Sequence, residues 1–208
     1  MALAKSAQSV IQLLSFMMAL SRRAHGTASS LYQTIMRKMV GSLDISQVPL
    51  LTKPVAVDHH EYQVFTDALV ALQPWQHRQL VCNNAPTYAS GVDKWVVVGE
   101  WTAAMTDCAS ALNGYDVGAR YDGTYPGSTF VGSCVGKSDI TTWDETFKGD
   151  MRGYIEAQLA TFESHAQGWI FWNFKTESAH EWDMFALLDN GVFPNPVTDL
   201  TLGTICSS

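Results

Sequence analysis

Eight residues, Lys94-Trp95-Val96-Val97-Val98-Gly99-Glu100-Trp101, restrict the choice of fold more than any other stretch of this chain. The valine run has no polar alternation, which suits a strand buried on both faces, as in the parallel sheets of α/β proteins. Such a strand hands its last residues to the carboxyl edge of the sheet, where α/β enzymes keep their chemistry. Glu100 therefore reads in two ways. It is a carboxylate held at that edge beside the aromatic plate of Trp101, or a surface glutamate just past a strand.

Two other stretches repeat the design. Residues 54–59 form a short apolar strand that Pro54 can begin, since a strand's first position needs no ladder donor. This strand turns abruptly into His59-His60-Glu61-Tyr62. Residues 168–174 run Gly-Trp-Ile-Phe-Trp-Asn-Phe before becoming polar. Between the first two strands, residues 66–80 read as a helix that Thr66 can cap and Pro74 interrupts, followed by a loop from Cys82 to Val92. Before the third, residues 142–167 give the clearest helix. Thr142 and Glu145 are spaced as a capping box, and Phe147, Met151, Tyr154, Ile155, Leu159 and Phe162 make an apolar stripe. Strand, helix, strand, helix, strand is a parallel βα repeat. No glycine-rich phosphate loop follows any of the strands, which disfavours a nucleotide-binding Rossmann domain.

Composition narrows the function classes. With 208 residues, 47% hydrophobic and 16% charged, the chain is long enough for one well-formed core and is not of disordered type. The net charge of −7 is unevenly spread. Residues 1–53 carry about +5 and the remainder about −12 by formal count. The acidic part shows no basic patch interleaved with aromatics, so nucleic acid is not the expected partner. It holds all seven tryptophans, which serve cores and sugar-stacking platforms equally well. No apolar run reaches the roughly 18–20 residues of a membrane span. The first thirty residues are open to three readings: a signal peptide, a transit peptide or an amphipathic helix.

Among candidate site residues, His60 and Tyr62 share one face of their strand by the two-residue period, and His59 and Glu61 share the other. Adjacent histidines raise the question of a metal, but no third ligand stands at a recognisable spacing, so hydrogen bonding in a cleft is the expected role. Trp172 and Phe174 share a face at the end of the third strand, as a sugar platform or as core. The irregular section 102–140 is glycine-rich, and loops of that length usually bind or cover a ligand. Cys82, Cys108, Cys134 and Cys206 form no metal-binding spacing; two disulfides in an oxidising compartment fit better, and three pairings are open.

Three segments carry a resemblance. Val57-Asp58-His59-His60-Glu61-Tyr62-Gln63-Val64-Phe65, Val98-Gly99-Glu100-Trp101-Thr102-Ala103-Ala104 and Trp169-Ile170-Phe171-Trp172-Asn173-Phe174-Lys175-Thr176-Glu177 resemble the fungal exo-β-1,3-glucanases of glycoside hydrolase family 5. Asn113-Gly114, Gly118-Ala119-Arg120-Tyr121, Gly132-Ser133-Cys134, Tyr154-Ile155-Glu156-Ala157-Gln158-Leu159 and the stretch from Gly191 to Asp199 extend it. The resemblance runs from about residue 54 to the C-terminus and leaves residues 1–53 poorly matched. It implies an α/β fold that is part of a TIM (β/α)8 barrel, approximately strands six to eight with their helices. It also implies exo-acting, glucose-releasing hydrolysis of β-1,3-glucan with retention, without cofactor or metal, by a secreted, cell-wall-associated monomer. Glu100 matches the family nucleophile. His60 and Tyr62 match the pair that hydrogen-bonds around it and the −1 sugar. Trp172 matches the indole under that sugar, and Phe65 an aromatic of an outer subsite. The cysteines match as Cys82–Cys206 and Cys108–Cys134.

One departure changes the expectation. Retaining hydrolysis needs a second carboxyl group about 5–5.5 Å from the nucleophile. The family supplies it from an Asn-Glu-Pro motif, and this sequence contains none. Glu61 stands where the family has histidine and is expected to face away from Tyr62, so no acid/base residue is assigned. Half a barrel would leave strand edges and a sheet face open. The chain is therefore expected to be a truncated form, either an enzyme represented by its C-terminal half or a non-catalytic glucan-binding fragment.

Overall fold

The computed structural model describes residues 56–202 and Cys206. The chain divides into two units, Met1–Ala56 and Val57–Ser208, and the following concerns the second with the strand that opens it. The N-terminal segment 1–53, with its three readings, and Pro54 lie outside the described residues.

The fold is mixed α/β. Strand β1 (Ala56–Glu61) leads to helix α1 (Asp67–Val70) and helix α2 (Pro74–Asn84). Strand β2 (Trp95–Trp101) is followed by the long loop, helix α3 (Glu145–His165), strand β3 (Gly168–Phe171) and helix α4 (Met184–Asp189). The strands form a sheet in the order β1-β2-β3, with β2 and β3 parallel, as the βα repeat requires.

Local chemistry explains the helix boundaries. Thr66 caps α1 by accepting from Leu69 N at 3.2 Å, as expected. Pro74 separates α1 from α2 and itself occupies the first turn of α2, where a missing N–H costs nothing. α2 runs on through Cys82 to Asn84, so the helix extends into the stretch expected to be loop. The cap of α3 is Asp144, whose Oδ1 accepts from Phe147 N at 2.7 Å; Thr142 instead closes a 3-10 turn with Ile140. Asp outcompetes the predicted Thr–Glu box because its carboxylate meets the helix N-terminus with a charge as well as an acceptor.

The apolar stripe of α3 is as expected. Met151, Tyr154, Ile155, Leu159 and Phe162 are buried, and Phe147 packs at the margin of the same core. The helix buries polar groups too. Gln158 Nε2 donates to the Thr102 carbonyl at 3.0 Å, fixing the chain just after β2. Glu156 accepts from Thr201 N and Leu202 N at 3.1 and 2.7 Å, fastening the C-terminal tail to the helix.

Strand β2 differs from expectation in one respect. Val96 and Val98 are buried, while Val97, Gly99 and Glu100 are only partly covered and Trp95 is exposed. Helices cover one face of the sheet, and on the other Ile170 is 56% exposed. β2 thus alternates in burial although its sequence does not alternate in polarity.

The long loop after β2 is organised by a buried carboxylate. Asp107 accepts from Arg120 N at 2.8 Å, Tyr121 N at 3.0 Å and Asn113 Nδ2 at 2.8 Å, and pairs with the Arg120 guanidinium at 3.3 Å. Gly118 is required within it, since a Cβ there would lie 2.1 Å from Thr124 Oγ1. Two disulfides complete the unit, Cys82–Cys206 and Cys108–Cys134, in the pairing the resemblance implied.

Two buried ionisable groups set opposing pH dependences. Burial lowers the His77 pKa from 6.5 to about 4. Burial raises the Glu181 pKa from 4.5 to about 7, against the hydrogen bond from Ser138 that lowers it. His77, neutral when buried, contributes stability that is full above 6.5 and lost as pH falls through 4. Glu181, protonated when buried, contributes stability that is full below 4.5 and lost as pH rises through 7. Each displacement of about 2.5 pH units corresponds to ~3 kcal/mol. In Glu181→Gln the opposing contribution disappears. Urea unfolding of variant and parent side by side should show the variant's advantage growing by about 3 kcal/mol from acid to neutral pH. A pH-independent difference would mean that Glu181 is not protonated in the native state.

Candidate active site

β1 brings Asp58 and His60, and the residue after it, Tyr62, to one side of the sheet; this is the two-residue face read from the sequence. Tyr62 Oη donates to Glu100 Oε2 at 2.7 Å. His60 Nδ1 lies 3.4 Å from the same oxygen, and His60 Nε2 faces Asp58 Oδ2 at 3.0 Å. His59 and Glu61 turn the other way, as expected. Glu61 is buried, pairs with His59 Nε2 at 3.2 Å and accepts from Gln63. Glu61 is thus engaged away from Glu100.

A register irregularity aims Glu100. Val98 pairs with Trp169 and Trp101 with Phe171, so β2 spends three residue steps where β3 spends two. The extra residue is a bulge, a device that re-aims side chains. Plain alternation from buried Val96 and Val98 would carry Glu100 into the core. With the bulge, Trp101 enters the core instead, edge-on to Phe162, Trp169 and Phe171 at centroid distances of 5.4, 5.4 and 4.9 Å. Glu100 turns to the side where Tyr62 and His60 wait.

The surrounding aromatics hold the donor. Tyr62 lies between Phe65 and Trp182, at centroid distances of 5.5 and 5.6 Å. Trp182, to which the sequence reading assigned no role, is buried, whereas Phe65 is 43% exposed. Burial raises the Tyr62 pKa, and so do its hydrogen bond to Glu100 and that residue's charge. Tyr62 therefore keeps its proton and acts as a standing donor. Its spacing from the strand marked it; nothing local marked Trp182, whose role depends on a chain segment 120 residues away.

β3 ends at Phe171, before Trp172. The Trp172 N–H still donates to the Trp101 carbonyl at 2.7 Å, so its backbone lies beside the Glu100–Trp101 edge. The Trp172–Asn173 peptide is cis. Asn173 N donates to the Trp182 carbonyl at 2.8 Å. Trp172 and Phe174 are 46% and 58% exposed. The strand period expected to align them does not reach them, because the ladder ends first. Among the described residues no three His, Cys, Asp or Glu side chains are grouped to hold a metal, and the adjacent histidines each face a carboxylate two residues away. No described helix is long and apolar enough to cross a membrane.

Fold and site together define an α/β protein with a carboxylate at a strand end, met by a phenol and an imidazole and flanked by exposed aromatics. Comparison with known proteins gives the kinship. The chain is 47% identical over 152 residues to a glucan 1,3-beta-glucosidase of Yarrowia lipolytica, covering 73% of this chain and 36% of that protein. It is 45% identical over 155 residues to a probable glucan 1,3-beta-glucosidase A of Aspergillus niger, covering 74% and 37%. With glucan 1,3-beta-glucosidase I/II of Saccharomyces cerevisiae it shares 40% over 161 residues, covering 74% and 35%. No protein-family model matches the chain. The resemblance read from the sequence is borne out: the matched part of this chain is related to the fungal glucan 1,3-β-glucosidases. It spans about a third of the length of these curated relatives.

Proposed function

We propose that this chain carries the C-terminal part of a secreted, retaining exo-β-1,3-glucanase whose nucleophile is Glu100. The observation that carries the reading is the convergence of Tyr62 and His60, from β1, on one oxygen of Glu100, from β2, at 2.7 and 3.4 Å. Both contacts fall on Oε2, so among the described side chains Oε1 is the oxygen left to attack an anomeric carbon. Tyr62 and His60 orient the carboxylate and stabilise it while a covalent glycosyl ester forms and breaks. Trp172 floors the −1 sugar and Phe65 lines an outer subsite. The substrate is a β-1,3-glucan chain cut from its end to release glucose, at the cell wall, by a monomer. The two disulfides support an oxidising, extracellular setting.

In this reading residues 54–208 make strands six to eight of a (β/α)8 barrel, and residues 1–53 lie outside the resemblance. The partly covered sheet face with Val97 and Ile170 then belongs to the barrel interior. The sequence has no Asn-Glu-Pro, which favours a second reading for the 208 residues alone: a glucan-binding fragment that does not turn over.

A substrate that needs no acid tests both. 2,4-Dinitrophenyl 2-deoxy-2-fluoro-β-glucoside carries a leaving group that departs unprotonated, so the nucleophile alone suffices to form the glycosyl ester. The expected result is one fluoroglucosyl adduct per chain, mapped by peptide mass spectrometry to Glu100. An adduct on another carboxylate overturns the nucleophile assignment. Binding of a laminari-oligosaccharide with no adduct at all favours the non-catalytic reading.

A further inference from the structure

The Asp58 carboxylate is not accounted for by the roles above. It lies on the same face of β1 as His60, with Oδ2 3.0 Å from His60 Nε2, while His60 Nδ1 is 3.4 Å from Glu100 Oε2. One imidazole thus stands between two carboxylates. A neutral imidazole carries one N–H and can donate to only one of them, whereas both are met favourably when both ring nitrogens carry protons. No other described acid or base is shown against this ring: Tyr62 contacts Glu100, and His59 and Glu61 pair on the opposite face.

A second observation, on another strand, concerns the same carboxylate. A Cβ on Gly99 would lie 1.9 Å from Asp58 Oδ1 and 2.8 Å from Asp58 Cγ. The residue immediately before Glu100 therefore has to lack a side chain for Asp58 to keep its place against β2. The register irregularity that re-aims Glu100 lies between Val98 and Trp101, the interval that holds this glycine.

We propose that Asp58 is a positioning residue for Glu100. It holds the His60 ring by Nε2 and fixes its orientation, so that Nδ1 faces Glu100 Oε2. Gly99 is the space that admits it. The inference rests on Glu100 being the nucleophile for its purpose, but the Asp58–His60 coupling is measurable without any reaction.

The test uses the whole chain labelled with 15N-histidine, with the His60 ring signals assigned by their loss in His60→Asn. Long-range proton–nitrogen spectra distinguish a ring with two N–H groups from a single tautomer. At one fixed pH the His60 ring nitrogen signals of Asp58→Asn should be displaced from the parent's. Gly99→Ala removes no titratable group and should produce the same change by displacing the Asp58 carboxylate, which is free to move because it is largely exposed. His59 should stay unchanged in both variants. His60 spectra identical to the parent in both variants overturn the proposal. A change in Asp58→Asn alone upholds Asp58 and overturns the part given to Gly99. These readings are independent of whether Glu100 takes the fluoroglucosyl label, so failure here and failure of the glucosidase reading are separable.

Discussion

Glu100→Gln should lower the rate of fluoroglucosyl labelling, and of β-glucoside hydrolysis in a form that turns over, by at least about a thousandfold, ~4 kcal/mol of transition-state stabilisation. The amide occupies nearly the same space and keeps an oxygen for Tyr62, so the change removes the charged nucleophile and little else. The site should still fold and bind, which a laminari-oligosaccharide titration would verify. Tyr62→Phe offers a graded comparison. It deletes a hydrogen bond to a charged group at 2.7 Å. Such bonds contribute about 1.5–3 kcal/mol, or roughly 10–150-fold in rate. An added small nucleophile gives a further readout: in Glu100→Ala, azide should restore turnover of the dinitrophenyl glucoside and yield the α-glucosyl azide, because it attacks from the face the carboxylate has vacated. Normal turnover in Glu100→Gln would sink the assignment outright.

The second large effect separates two indoles that the sequence presents alike, each at the end of a buried-looking strand. Trp101→Ala should destabilise the protein by about 3–5 kcal/mol, the usual cost of emptying a large aromatic site in a core. Trp101 is fully buried and contacts Phe162, Trp169, Phe171 and Phe193. Neighbours drawn from a helix, a strand and the tail cannot all collapse into the space. Trp172→Ala, at a residue 46% exposed, should change stability by less than about 1 kcal/mol and instead weaken glucan binding. Urea midpoints at constant slope measure the first effect, and oligosaccharide titration the second. If Trp172→Ala proved as destabilising as Trp101→Ala while binding held, Trp172 would be core and not platform.

Much of the site could be read along the chain. The switch from apolar to polar at the end of β1 and the Gly99-Glu100-Trp101 ending of β2 are local patterns, and period-two geometry correctly put His60 and Tyr62 together and Glu61 apart. The stripe of α3 and the break at Pro74 were legible for the same reason: a helix period and a missing N–H are properties of neighbours in sequence. The Asp144 cap was misread because two capping residues stood two positions apart, and only the geometry of the preceding 3-10 turn chose between them. The Asp107 network and the place of Trp182 beside Tyr62 had no local signal at all.

The sequence by itself determined the strand–helix alternation and the residue types available at the strand ends, since these follow from backbone periods; the need for glycine before Glu100 comes from Asp58 on another strand. It did not determine which way Glu100 points. Alternation counted from Val96 and Val98 would bury it. The bulge between β2 and β3 reverses that direction, because pairing Trp101 with Phe171 places the indole among four aromatic rings and leaves the carboxylate to Tyr62 and His60. That choice is made by contacts some seventy residues apart in the chain, and so belongs to the tertiary structure.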